Sequence, residues 1–188
     1  MSTWRIWAYA LSLAGLWLIV RFSLGYAYAF NYAEAQPKGV MLNLIFVLIL
    51  LVLTLYKTYN KEPQVRSYFD DFKLCLRTGV AYAVAIGLAI GVYYSTSNDM
   101  SIKRAADYAQ LEEALNTPEK VAAITSSNEQ LKDLTKEEIQ QSYIERVNTM
   151  TSAKTVVAAG ISGMVLSALI FSLIVPWIFR TVMLKELQ

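Results

Sequence analysis

"GVAYAVAIGLAIG", residues 79–91, alternates small and large side chains almost to its end. A strict period of two reads as a strand with two unlike faces. The neighbouring sequence argues otherwise. Four stretches contain no Asp, Glu, Lys or Arg: residues 6–20, 39–56, 78–98 and 155–179. The last three have 18, 21 and 25 residues, and a helix needs about 17–25 to cross a hydrocarbon core. In lipid every backbone N–H and C=O must be paired within a helix or a closed barrel, and one isolated run cannot close a barrel. The stretch therefore reads as a helix. Because four is a multiple of two, its small residues also recur at every fourth position, and Gly79, Ala83, Gly87 and Gly91 form one ridge. Small residues four apart let a neighbouring backbone come close. Ala159, Gly163 and Ser167 repeat the spacing in the fourth stretch, which makes the third and fourth helices the expected close pair.

Composition agrees with a membrane chain. Of 188 residues, 55% are hydrophobic, with a mean hydropathy of +0.36. The 17 basic and 15 acidic residues leave a net charge of +2, so there is no overall field that would recruit nucleic acid. The chain has no histidine, and Cys75 is its one cysteine. An internal disulfide is thereby excluded, as are thiolate or imidazole metal sites built from one copy. Cys75 reads as a small apolar filler, with Lys73 and Arg77 nearby in sequence as the only hint of reactivity.

The first charge-free stretch has only 15 residues. It spans if the helix continues through "RFSLGYAYAF" to Phe30, with the Arg21 guanidinium snorkelling toward the headgroups. A secretory signal is the alternative, with "AYA" at residues 27–29 or "AEA" at residues 33–35 as cleavage sites. Orientation follows the Lys and Arg flanks. With the N-terminus inside, Arg5, Lys57, Lys61, Arg66, Lys73, Arg77, Arg180 and Lys185 lie inside, against Arg21 and Lys38 in the first outer loop. That bias predicts N-in and C-in. Trp4, Trp7 and Trp177 then fall at the inner interface, and Trp17, Tyr26, Tyr93 and Tyr94 at the outer one.

The third connection is too long to be a plain loop. Thr117-Pro118 is a helix start signal, and Ser126 with Glu129 and Thr135 with Glu138 have capping-box spacing. Ile139, Tyr143, Val147 and Met150 make an apolar stripe, and Tyr108, Leu111 and Leu115 a shorter one. These stripes pack on each other, cover the bundle or meet a partner. From Lys136 the chain reads as one helix continuing into the fourth segment.

Charge inside a membrane segment points to function because it is costly there. None reads as deep. Arg77 comes nearest, and Asp70, Lys73 and Arg77 share one helical face at spacings of three and four. They read as a local ion-pair cluster at the inner interface, or as an anchor for lipid phosphate or a cytoplasmic anion. The carboxylate neighbours Asp70-Asp71, Glu112-Glu113 and Glu137-Glu138 do not converge, since adjacent residues diverge on a helix. Asn43, Tyr82, Ser162 and Ser167 are mild polar groups within the spans, and Pro176 is expected to bend the fourth helix. No phosphate-cradling loop, nucleophile elbow or metal-ligand spacing is present.

At "YKTYNKEPQVRSYFDDFKLCLRTGVAYAVAIGL", residues 56–88, the chain resembles the DUF4199 family, small four-helix membrane proteins of Bacteroidetes with no assigned activity. The resemblance rests on Tyr56 with Lys57, on Phe72 seven residues ahead of Gly79, and on Arg77 where the family often has a basic residue. Lys73 follows Phe72 where the family often has Gly. The resemblance implies four helices with a polar helical insert before the last. It implies no reaction.

The sequence thus predicts an all-α, polytopic membrane protein of the bacterial inner membrane. Its spans are expected at about 4–28, 39–57, 74–95 and 154–179, with a helical extracytoplasmic insert over 96–153. The role that fits is a non-enzymatic scaffold or subunit of a membrane complex. The runner-up is a small oligomeric transporter or channel-like carrier, and an enzyme fits least. No catalytic, cofactor or metal residues are assigned. The expected partners are the lipid bilayer and other membrane proteins or further copies of the chain.

Overall fold

The computed structural model describes residues 2–27, 32–61, 66–117 and 134–186. Six helices account for them: α1 (Thr3–Ala27), α2 (Tyr32–Tyr59), α3 (Tyr68–Thr96), α4 (Asp99–Leu115), α5 (Lys136–Met150) and α6 (Ala153–Glu186). The described part is all-α. Four helices, α1, α2, α3 and α6, are long and apolar enough to cross a membrane. Pro118, Ser126 and Glu129 of the third connection, and Tyr28 to Phe30 beyond α1, lie outside the described residues.

The arrangement follows from which faces are covered. Along α1 the buried side chains are Ile6, Ala10, Ala14, Trp17, Arg21 and Gly25, a stripe at spacings of three and four. Leu11, Leu16 and Ile19, on other faces, are exposed. The central helix is α3: 61% of its apolar window is covered by protein, against 17% for α6. Its most extensive packing is against α6, then against α1. The outside of the bundle carries Ile49, Leu53, Leu88, Leu166, Ile170 and Leu173, all exposed. So much contiguous apolar surface is incompatible with water and suits lipid. The chain is an integral membrane protein by these four helices.

The ends of α3 show why it starts and stops where it does. Ser67 is its N-cap, with Oγ accepting from the Asp70 N–H at 3.1 Å, which satisfies one of the orphan donors of the first turn. At the other end the Ser97 N–H donates to the Tyr93 carbonyl at 2.8 Å, and the chain turns at once into α4. Helices α4 and α5 pair through Leu111, Leu115 and Ile139, with Tyr143 and Ile144 half-buried beside them. The two amphipathic stripes therefore cover each other. Met150, at the end of the expected stripe, is 56% exposed.

The expected continuous helix from Lys136 into the last span is corrected. It breaks at Thr151 and Ser152, where the Thr151 N–H donates to the Thr149 and Val147 carbonyls and the Ser152 Oγ accepts from the Thr155 N–H at 3.2 Å. One serine thus restarts the helix as a cap. Pro176 lies inside α6, which runs on past it to Glu186.

Candidate functional site

Two clusters of charge sit at opposite ends of α3. The first ties α1, α3 and α4 together. Arg21 Nη2 donates to Asp99 Oδ2 at 2.7 Å, and neither side chain reaches solvent. Tyr93 donates its hydroxyl to the same oxygen at 2.9 Å, and the Arg21 guanidinium carbon lies 4.7 Å from the Tyr93 ring centroid. Gly39 makes the room on α2: a Cβ there would come within 3.2 Å of Arg21 Cδ. Its carbonyl accepts from Trp17 Nε1 at 3.0 Å. Phe22 packs edge-on to Tyr93 at 4.8 Å. Within this apolar shell Arg21 Nε and Nη1, Asp99 Oδ1 and Ser97 Oγ are buried without a partner among the described residues.

The expected snorkelling of Arg21 is thereby corrected. A charged side chain in this position either reaches the headgroups or finds an opposite charge. Asp99, the first residue of α4, supplies that charge, and an acidic residue also suits the first turn of a helix. Trp17 and Tyr93, expected in the outer aromatic belt, are core residues, whereas Tyr26 is 74% exposed.

The second cluster ties α2, α3 and α6 at the other end. The buried Asp71 accepts from Arg66 Nε on Oδ1 at 3.2 Å. On Oδ2 it accepts from Arg180 Nε at 2.9 Å and from the Tyr59 hydroxyl at 2.7 Å. Arg180 Nη2 also donates to the Tyr59 oxygen at 3.3 Å and to the Arg66 carbonyl. Nearby on the same end, Lys57 donates to the Tyr9 hydroxyl, with its Nζ 4.2 Å from the ring centroid.

Between the clusters the interior is apolar, filled by Val47, Leu50, Ala83 and Ile86 among others. Among the described residues the polar groups buried there include Tyr82, which donates to Asn43 Oδ1 at 3.1 Å, Thr78, which donates to the Leu74 carbonyl, and Thr54, whose hydroxyl has no partner among them. Thr58 and Ser172 donate to carbonyls of their own helices. Cys75 is buried. Among the described residues no three His, Cys, Asp or Glu side chains gather as a metal set.

The residues singled out from sequence fall as follows. On α3, Gly79, Ala83 and Gly87 are buried. A Cβ on Gly79 would lie 2.5 Å from the Ala168 Cβ, and one on Gly87 would overlap Ile161. A Cβ on Gly91 would lie 3.4 Å from Val157 Cγ2. On α6 the residues that meet this ridge are therefore Val157, Ile161 and Ala168, with Gly160 set against Ile90. Ala159, Gly163 and Ser167 lie on another face, and a Cβ added at Gly163 would meet nothing within 4 Å. They line a cleft of about 450 Å³ shared with Val40 and Leu44 of α2.

Asp70, Lys73 and Arg77 each take a different neighbour. Asp70 accepts from the Ser67 hydroxyl at 2.7 Å, Lys73 Nζ lies 4.3 Å from the Phe69 ring centroid, and Arg77 donates to Thr3 Oγ1. The carboxylate that gathers charge is instead the next residue, Asp71. Its signal lay in the sequence: Asp71 and Arg66 fall in the connection between the second and third apolar runs and Arg180 just beyond the fourth, which the alternation of the spans puts on one side of the bundle. Charges at one depth on adjacent helices are candidates for pairing. No family model matches the chain, and no curated protein or solved structure matches it.

Proposed function

We propose that this integral membrane protein is a non-enzymatic scaffold or subunit of a membrane complex in the bacterial inner membrane, with both termini on the cytoplasmic side. The observation that carries the reading is the placement of the buried charges. They tie helices together at the two ends of α3 and are separated by a mainly apolar interior in which, among the described residues, the one side-chain pair joining two helices is Tyr82 and Asn43. A carrier needs a polar line through the bundle, and a scaffold needs rigid helices with uncommitted outer faces. The lipid-facing side of α6 is such a face. The Lys and Arg bias of the connections supports the orientation. The order of segments and the Tyr56–Lys57 and Phe72–Gly79 positions support kinship with the DUF4199 proteins.

A small oligomeric transporter is the competing reading. It is favoured by the row Ala159, Gly163 and Ser167, which stands apart from α3 and would serve as a protomer contact. Isolation from native membranes in mild detergent, followed by native mass measurement, separates the two. A scaffold is expected to come out with a different protein in fixed stoichiometry. Repeated recovery of the chain alone overturns the scaffold, and a homo-oligomer favours the carrier.

A further inference from the structure

Asp71 has one negative charge and faces two arginines. Both of its oxygens are taken, Oδ1 by Arg66 and Oδ2 by Arg180 and Tyr59. An arginine offers five N–H donors in a rigid fork. Arg66 engages the carboxylate through Nε, and Arg180 uses Nε and Nη2. That leaves both terminal nitrogens of Arg66 and Nη1 of Arg180 without a bond to any described residue. None of these three is among the buried unpaired atoms, and the two side chains are 26% and 29% exposed. The open edges of two guanidinium groups therefore face outward, held in place from behind by a buried carboxylate, with one positive charge left over.

Their depth is set by Trp177, one turn before Arg180 on α6 and 63% exposed. Tryptophan settles at headgroup level. Tyr68 is anchored alongside through its hydroxyl to the Leu173 carbonyl at 2.6 Å. At that depth the abundant anion is the phosphate of a lipid, and basic pockets between membrane helices are suited to it. Asp70 nearby is engaged by Ser67, and Lys73 stands one turn along the same helix to offset its charge.

We propose that Arg66 and Arg180 bind the phosphate group of an anionic phospholipid, with Asp71 fixing their spacing. Planar forks match phosphate oxygens two at a time, which lysine at the same positions would not do. The site is independent of whether the protein is a scaffold or a carrier.

The test is lipid retention by the full chain, purified in detergent and read by native mass spectrometry. Phosphatidylglycerol and phosphatidylcholine are offered in separate arms, and inorganic phosphate in a third. Phosphatidylglycerol is expected to stay bound, with retention about tenfold weaker in Arg66→Gln, because one charge-assisted contact is lost. Arg66→Lys, which keeps the charge and loses the fork, is expected to fall between. Lys136→Gln, on α5, is expected to match the wild type. Equal retention of phosphatidylglycerol by Arg66→Gln and wild type overturns the proposal, as does equal retention of phosphatidylcholine. If inorganic phosphate displaces the lipid at equal concentration, the lipid assignment falls and a soluble phosphate donor takes its place. Should Arg66→Gln fail to fold, the Arg66→Lys comparison decides alone.

Discussion

The Arg21 guanidinium and the Asp99 carboxylate meet at 2.7 Å although 78 residues separate them in sequence and neither side chain is exposed. The pair joins the end of α1 to the start of α4, and Tyr93 brings α3 into the same contact. Asp71 does the same work at the far end of α3 for α2 and α6. The central helix is thus fixed at both ends by charge and along its length by close packing against α6.

Breaking the Arg21–Asp99 pair is expected to be costly. Removing one partner from a buried ion pair destabilises by about 3–5 kcal/mol, whereas replacing both with apolar groups is often neutral. Asp99→Asn should be worse than Arg21→Met, because a lone buried carboxylate can neutralise itself with a proton and a guanidinium cannot. The double variant Arg21→Met with Asp99→Leu should recover most of the loss. Thermal unfolding in detergent checks the order. Additive losses in the double variant would mean that the two groups do not depend on each other.

Close packing makes a sharper distinction among the glycines. At Gly79 an added methyl would press on the Ala168 Cβ at 2.5 Å and its Cα at 3.3 Å, so helices α3 and α6 must move apart. Gly79→Ala is expected to cost about 1–3 kcal/mol, the range for overpacking. Gly163→Ala meets nothing within 4 Å and should stay within about 0.5 kcal/mol of wild type. Unfolding midpoints of the two variants, measured side by side, give the answer. Equal effects would place Gly163 in a contact of its own.

The contrast between these two glycines also shows how far the sequence could be read. Helix length, the absence of charge and the recurrence of small residues are local properties, so the four spans and the pairing of α3 with α6 were legible. Which face of α6 meets α3 was not. Small residues also stand at Ala158, Gly160, Ser162 and Ala168, so spacing alone allows more than one ridge. The pairing of Arg21 was hidden for a different reason: its partner arrives from α4, and no local pattern says that a helix will fold back over the bundle. The capping box of α5 was legible because its two residues are three apart.

The mid-bundle pair offers a test of the carrier reading. Tyr82→Phe removes the donor to Asn43 Oδ1 and leaves a buried amide oxygen without it. Single polar contacts between membrane helices average about 0.6 kcal/mol and reach about 1.7, so a loss in that range is expected. Adding Asn43→Leu should return part of it, since both polar ends are then gone. A loss well above the range would point to a longer polar chain through the interior, as a carrier requires.

The α5 capping box has a pH dependence whose sign can be stated. Glu138 accepts from the Thr135 N–H at 2.8 Å and from the Thr135 hydroxyl at 2.9 Å. These bonds, the backbone one foremost, hold its carboxyl below the ordinary glutamate value of 4.5. A folded-state value that is lowered means stabilisation present above the ordinary value and lost as pH falls through the lowered one. The start of α5 should therefore hold at neutral pH and fray in acid. The carboxyl carbon of Glu138, followed by NMR from pH 7 down to pH 2 or so, is expected to titrate with a midpoint under 4.5. Thr135→Ala keeps the backbone donor and loses the hydroxyl, so its midpoint should move only part of the way up. A wild-type midpoint at or above the ordinary value would mean that the carboxylate faces water and that α5 begins without its box.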